Sequence, residues 1–117
     1  MKKLYDTITS ENLKTLPNVA SKAYHKISVP EFTMLGAGDQ PDFGVLTVEY
    51  NDCSRTLELK SFKEYLYQYR DTILSYERAI EVLFNHLETA LDKPSSLEVK
   101  IEFRPRGGIS STLTRYT

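Results

Sequence analysis

The segment PEFTMLGAGDQPDFG, residues 30–44, has the composition of a loop that could hold a ligand. It contains two prolines, three glycines and several acids, and carboxylates of this kind can carry protons in general acid–base catalysis. It contains no serine, cysteine or histidine, so the usual activated nucleophiles are absent from it. The loop could therefore supply carboxylates for acid–base catalysis, but it supplies neither a thiol nor the serine or histidine of a catalytic triad.

The remaining candidates for chemistry are scattered, and each also has a structural interpretation. His25, His86 and Cys53 lack the spacing of zinc ligands, so we expect no metal site. Glu77 near the start of a helix would complement the helix dipole even without a ligand. The lysines at 60 and 63 could simply be solvated, and the RGG sequence at 106–108 is first of all a turn.

The bulk composition indicates one globular domain without a bulk polyanionic partner. The chain has 117 residues, 40% of them hydrophobic, and a net charge of −1, so neither nucleic acid nor an anionic membrane is an expected partner. It has no long apolar run and no signal-peptide pattern at its start. A single cysteine fits a reducing compartment, and we expect a cytoplasmic protein.

The hydrophobic pattern predicts the order β-β-α-α-β-β. Strands are expected at residues 23–29, 43–50, 97–105 and 109–116, with a loop at 30–42. The segment LEVKIEFRP alternates strictly and is the clearest strand. We predict an α+β fold in which two helices cover an antiparallel four-stranded sheet. Residues 1–22 are expected to be an N-terminal arm, and 23–117 the single domain.

Both predicted helices have an apolar stripe, and the first also has a start signal. Ser61 and Glu64 have the spacing of a capping box for the first helix. The second is expected from about Ser75 to Leu91. The predicted stripes are Phe62, Tyr65, Leu66 and Tyr69 in the first helix, and Ile80, Leu83, Phe84, Leu87 and Leu91 in the second. A four-stranded sheet leaves two exposed edges, which oligomerisation would cover by continuing the sheet between subunits.

Several segments together resemble one enzyme family. PEFTMLGAGDQPDF resembles the active-site loop of the 7-cyano-7-deazaguanine reductases, the QueF family, which typically reads PEFTSLCPxTGQPDF. LELKSFKEYLYQYRD resembles a second signature, Tyr76-Glu77 stands where that family has His-Glu, and RPRGGIS resembles its closing segment. The resemblance spans residues 29–110. It implies the tunnelling fold, whose ββααββ units assemble into pentameric or larger barrels, so a pentamer or decamer is expected.

The resemblance implies a reaction for which this sequence lacks the nucleophilic cysteine. The family reduces a nitrile to a primary amine with NADPH, after a cysteine thiolate has added to the nitrile. By position Asp42 would be the proton donor, but Gly36 stands at the cysteine position and the loop is one residue shorter. Cys53 lies beyond strand 43–50, roughly 25 Å along the chain at strand spacing, and is a poor substitute.

The ligand-binding residues implied by the resemblance match the family pattern better than the catalytic residues do. Those aligned with the substrate side are Leu57, Glu58, Leu59, Tyr76 and Glu77, and those aligned with the NADPH side are Lys60, Lys63, Arg106 and Gly107. A glutamate at 77 can accept two parallel N–H bonds from a guanine-like edge. Glu64 departs from the family pattern and adds a negative charge near the expected phosphates.

Three functions remain open at this point. The first is the family's nitrile reduction, which the missing cysteine opposes. The second is a different acid–base enzyme acting on a pterin or deazapurine. The third is a non-catalytic binding or structural paralogue. The sequence favours a member of the reductase family by descent that retains a purine-like pocket at a subunit interface.

Overall fold

A large mixed sheet carries the fold, and two helices pack on one of its faces. The computed structural model describes residues 3–20, 23–36, 40–51, 53–104 and 107–117. The strands are β1 Lys3–Leu4, β2 Thr15–Pro17, β3 Tyr24–Leu35, β4 Pro41–Asn51, β5 Arg55–Leu57, β6 Thr72–Ile73, β7 Ser96–Phe103 and β8 Ser111–Tyr116. The helices are α1 Leu59–Tyr67 and α2 Tyr76–Ala90. The predicted α+β class, with a large sheet and two helices, is confirmed.

The sheet is wider than the four strands predicted from the sequence. Within the described residues its order is β1-β6-β3-β4-β7-β8, while β2 and β5 form a separate antiparallel pair. The four long strands are antiparallel, and the two-residue strands β6 and β1 extend the β3 side in parallel. Strands of two residues have no measurable periodicity, so a pattern-based reading misses them.

The predicted loop at 30–42 is largely a β-hairpin, and this prediction is wrong. β3 continues through Pro30 to Leu35, and β4 begins at Pro41. The register shifts between Val29 and Phe32, so Pro30 lies at a bulge, where a residue without an N–H group is tolerated. A hydrogen bond of 2.8 Å from the Gly36 N–H to the Gln40 carbonyl closes the connection. Residues 37–39 lie outside the described part of the chain.

The core lies between the sheet and the helices. All nine predicted stripe residues of the two helices are buried, and so are Leu97, Val99, Ile101 and Phe103 of β7. The apolar faces of the helices and of β7 therefore pack together in one layer. This layer fixes the side of the sheet on which the candidate residues of α2 meet those of β4.

The two helices start differently from each other. Ser75 caps α2, since its hydroxyl accepts a hydrogen bond from the Arg78 N–H at 3.1 Å. For α1 the predicted capping box is wrong, because the helix is capped three residues earlier than Ser61. Glu58 is the N-cap, and its carboxylate accepts hydrogen bonds from the N–H groups of Lys60 and Ser61 at 2.8 and 3.0 Å.

The described part of the N-terminal segment packs onto the helices. Ile8 is 6% exposed and joins the core. Gln68 accepts a hydrogen bond from the Thr9 N–H and donates one to the Thr9 carbonyl. The boundary between an arm and a domain at residue 22 stays a prediction. Among the described residues, no helix is long and apolar enough to cross a bilayer.

Candidate functional site

A cleft forms where the start of β4 meets the start of α2. It is lined by Asp42, Leu74, Ser75, Tyr76 and Glu77. The junction between β6 and α2 is tied to the hairpin, because the Leu74 N–H donates to the Leu35 carbonyl at 2.9 Å. Three residues that the sequence placed in the site, Asp42, Tyr76 and Glu77, therefore line one cleft although Asp42 is far from the other two in the chain.

Gly36 lies directly against Asp42. A Cβ atom built on Gly36 would be 3.1 Å from Cγ of Asp42, and closer still to one of its carboxylate oxygens. Such a separation is shorter than van der Waals contact between the atoms concerned. The Asp42 carboxylate thus lies in the space that a side chain at position 36 would need.

Tyr76 is held by stacking on one face of its ring. The ring stacks on buried Phe103, with a centroid separation of 3.9 Å and an interplanar angle of 8°. Desolvation, followed by the negative charge of the nearby Asp42 carboxylate, raises the pKa of Tyr76. The phenol therefore remains a neutral donor near neutral pH.

Glu77 occupies the first turn of α2 and is exposed. The partial positive charge of a helix N-terminus favours a carboxylate there. An exposed carboxylate in this position can accept hydrogen bonds from a ligand that enters the cleft. Glu77 and Asp42 thus place two acceptors on the same cleft as the hydroxyl of Tyr76.

The second group of predicted substrate residues lies at the other end of the sheet. The Leu57 N–H donates to the Tyr50 hydroxyl at 3.1 Å, and Tyr50 is eight residues from Asp42 along β4. At about 3.3 Å per residue this corresponds to roughly 26 Å. Within one subunit, the structure does not bring Leu57, Glu58 and Leu59 to the cleft.

These three residues also differ in what their side chains do. Leu57 is 4% exposed and belongs to the core, whereas Leu59 is 58% exposed. The backbone N–H groups of Lys60 and Ser61 lower the pKa of Glu58 by hydrogen-bonding its carboxylate. Of the three residues, Leu59 is the one with an exposed side chain.

The residues predicted to meet NADPH are dispersed. Lys60 lines a polar cleft with Glu58 and Glu64, whereas Lys63 lines a separate groove between α1 and β3. Gly107 is exposed in a turn with a φ of +94°, and Arg106 lies outside the described residues. The Glu58 carboxylate already occupies the N-terminus of α1, where a phosphate would otherwise bind. The described residues of one subunit therefore do not fit a pyrophosphate site.

Comparison with known proteins places the chain in a family. Residues 41–117 match the profile of the QueF-like protein family. The chain belongs to the QueF-like family. It is 37% identical, over 88% of its length and 76% of the relative, to the NADPH-dependent 7-cyano-7-deazaguanine reductase of Nitrosospira multiformis. The enzyme of the same name from Thermosynechococcus vestitus is 34% identical, over 92% of this chain and 83% of the relative.

The fold of this QueF-like protein also resembles a solved structure. The crystal structure of the archaeosine synthase QueF-Like in the apo form superposes with a TM-score of 0.72, covering 84% of this chain and 96% of that one. The sequence identity is 17%, so the likeness concerns the fold. The family resemblance drawn from the motifs is confirmed.

Sequence reasoning missed three residues that shape the cleft of the QueF-like chain. Leu74 and Ser75 line it, and Phe103 supports the ring of Tyr76. Ser75 was recognisable as a helix cap and Phe103 as an inward residue of a strand, but neither signal indicates a ligand site. Their role depends on pairing between distant strands, which the sequence pattern does not specify. Among the described residues, no cluster of three or more His, Cys, Asp or Glu side chains is placed to hold a metal.

Proposed function

We propose that this QueF-like protein binds a 7-deazaguanine base, related to the substrate for which its relatives are named, in the cleft formed by Asp42, Tyr76 and Glu77. The observation that carries the proposal is that this cleft gathers residues of the hairpin and of α2 that stand at positions of the family motifs. Glu77 would accept N–H bonds from the guanine-like edge, and Tyr76 and Asp42 would meet the remaining polar groups.

The base-binding pocket is proposed to be completed by a second subunit. Within one chain, Leu59 and the cleft lie at opposite ends of the sheet, so one small ligand cannot contact both. β8 is paired on one side only among the described strands, and β3 pairs with β6 only at Leu35. Continuation of the sheet across these edges would give the homo-oligomeric barrel of the tunnelling fold, as a pentamer or decamer.

Covalent nitrile reduction is not part of the proposal. Gly36 supplies no thiol, and the Asp42 carboxylate lies where a side chain at 36 would extend. Sγ of Cys53 hydrogen-bonds the Asn51 carbonyl at 3.3 Å, at the end of β4 remote from Asp42. Within one subunit, a thioimide adduct therefore has no nucleophile in the cleft. The described residues favour binding of the base over its reduction.

The experiment combines calorimetry with an enzyme assay on the purified full chain. Titration with 7-cyano-7-deazaguanine is expected to show saturable binding. Incubation of the same ligand with the protein and NADPH is expected to leave the NADPH absorbance unchanged. Turnover at the rate of an intact family member would contradict the proposal, and so would an absence of any binding.

A second candidate function is acid–base catalysis on a deazapurine or pterin. The observation that favours it is that the Tyr76 phenol and the Asp42 carboxylate line the same cleft. Such a pair can take a proton from a bound ligand and stabilise the charge that remains. Product analysis of deazapurine and pterin ligands after incubation without NADPH distinguishes this activity from simple binding. If ligand is recovered unchanged, a non-catalytic binding paralogue is favoured.

A further inference from the structure

Residues 9–18 run along α1 from its end to its start and are attached mainly by hydrogen bonds. Of residues 3–20, all of which the structure describes, Ile8 is the one that is buried. Just beyond this anchor, the Gln68 side chain accepts from the Thr9 N–H at 2.9 Å and donates to the Thr9 carbonyl at 2.8 Å, and both bonds are exposed to solvent. A segment with few buried apolar contacts and exposed hydrogen bonds opens at a lower free energy than the core.

The Ser61 hydroxyl joins this segment to the start of α1. Ser61 is 6% exposed, and its oxygen accepts a hydrogen bond from the Lys14 N–H at 2.9 Å while it donates one to the Glu58 carbonyl at 2.9 Å. The Lys14 carbonyl in turn accepts a hydrogen bond from the Glu58 N–H at 3.0 Å. Without the hydroxyl of Ser61, the Lys14 N–H would lose its acceptor, and the attached state would be weakened.

Strand β5 makes the second attachment. Residues 15–17 pair with Arg55–Leu57 as the antiparallel strands β2 and β5. The Arg55 guanidinium donates hydrogen bonds to Thr15 Oγ1 at 3.0 Å and to the Thr15 carbonyl at 2.8 Å. The segment therefore occupies hydrogen-bonding groups of the β5 backbone and of the Arg55 side chain.

We propose that residues 9–18 are a strap that opens by local unfolding, with Ile8 as the fixed anchor at one end and the Ser61 hydroxyl as the latch that holds it closed. Opening breaks the β2–β5 pairing and the hydrogen bonds between Lys14 and the start of α1. It leaves the main sheet intact, because β2 and β5 form a separate pair. The strap is therefore able to move without unfolding of the core.

Opening of the strap presents hydrogen-bond donors in the segment that leads to Leu59, the exposed member of the predicted substrate-side residues. The Arg55 guanidinium and the Glu58 N–H lose their partners in the strap and become available to a carbonyl oxygen or an anionic group of a ligand. This consequence deepens the proposed function and rests on it. The opening itself takes place in the unliganded chain.

Amide hydrogen exchange, followed by NMR in the unliganded full chain, measures the opening directly. The reporter amides are the N–H groups of Lys14, Asn18 and Glu58, each of which donates a hydrogen bond across the junction between the strap and the rest of the chain. In the parent chain we expect these amides to exchange together, roughly 10-fold or more faster than the hydrogen-bonded amides of β7 after correction for intrinsic rates.

Two variants weaken the strap at different attachments. Ser61→Ala removes the latch and is expected to accelerate exchange of the reporter amides about 5-fold while the β7 amides keep their rates. Arg55→Lys loses the two-point hydrogen bond to Thr15 and is expected to act in the same direction. Ser28→Ala is the matched control, because Ser28 is an exposed residue of β3 that pairs with Thr47, and it should leave every rate unchanged.

Reporter amides that exchange as slowly as those of β7 in the parent chain would overturn the strap, since the segment would then open only with the whole fold. Reporter rates that are the same in the parent chain, Ser61→Ala and Arg55→Lys would overturn it too. Equal acceleration of the reporter and β7 amides in both variants would likewise exclude local opening. Failure of the proposed function is a separate result, detected as absent binding of 7-cyano-7-deazaguanine by calorimetry.

Discussion

The Asp42 carboxylate fills the space where a side chain at position 36 would lie: a Cβ atom on Gly36 would be 3.1 Å from Cγ of Asp42. The two residues face each other across the β3–β4 hairpin, at the end where Met34 pairs with Asp42. The absence of a nucleophile at position 36 is thus accompanied by a carboxylate in the vacated volume. Restoring a thiol at 36 changes the position of Asp42 as well as adding a sulfur.

The first prediction concerns Gly36→Cys. The new Cβ must displace the Asp42 carboxylate, and we expect the free energy of unfolding to fall by roughly 1 kcal/mol. Despite the added thiol, no thioimide adduct with 7-cyano-7-deazaguanine is expected by mass spectrometry. The double variant Gly36→Cys with Asp42→Ala removes the clash and should recover most of the stability in urea unfolding. Equal costs in both backgrounds would refute the steric coupling.

The second prediction concerns recognition of the base by Glu77. Glu77→Gln keeps the size of the side chain but removes the charge, and we expect the dissociation constant to rise about 10- to 100-fold. Glu81→Gln is the matched control, one turn further along α2, where Glu81 forms an exposed ion pair with Arg115 at 3.2 Å. Calorimetry should show unchanged binding for that control. Equal losses for both variants would indicate a nonspecific charge effect.

A third prediction concerns stability between pH 5 and 7 and depends on His86. Its Nδ1 lies 2.7 Å from the Tyr65 hydroxyl, and desolvation lowers the pKa of His86 in the folded chain. Below its ordinary pKa of about 6.5, the unfolded chain therefore binds the proton more readily, and stability falls as the pH decreases. Urea unfolding at several pH values should show this slope.

The His86→Gln variant should reduce the slope attributed to His86. The lowered pKa of Glu58 acts in a different range, because it contributes stability that is lost only as the pH falls below about 4.5. Measurements above pH 5 therefore separate the two groups. A slope that is identical in the parent chain and in His86→Gln would exclude His86 as its origin.

A fourth prediction concerns Gly44, where β4 approaches β7 closely. A Cβ atom at this position would lie 2.8 Å from the backbone carbonyl oxygen of Glu102, which cannot rotate away as a side chain can. Gly44→Ala is expected to lower the free energy of unfolding by about 1–3 kcal/mol. Because Gly44 pairs with Phe103, the support of Tyr76 should be disturbed too. Unfolding in urea and binding by calorimetry measure the two effects, and an unaffected variant would contradict the close approach.

The parts of the fold that sequence could predict are those with long apolar repeats. The stripe of α2 and the alternation of β7 each involve several turns or pleats, so chance matches are improbable and the buried residues were identified correctly. The continuation of β3 through Pro30 could not be predicted, because a proline ordinarily ends a strand and the bulge that accommodates it depends on β4.

The candidate site likewise contains residues that the sequence could identify and contacts that it could not. Family motifs named Asp42, Tyr76 and Glu77, and the structure brings them to one cleft. The motifs also named Glu58 as a ligand residue, whereas its carboxylate caps α1 in this chain. The contact between Gly36 and Asp42 arises from strand register and turn closure. No spacing rule in the sequence contains that information.

The central claim is that the cleft of this QueF-like chain binds a 7-deazaguanine base through Glu77. The measurement that tests it most directly is calorimetric titration of 7-cyano-7-deazaguanine into the parent chain and into Glu77→Gln. We predict saturable binding by the parent chain and binding weakened about 10-fold or more in the variant. Binding that is absent from the parent chain, or equal in the two proteins, would contradict the account.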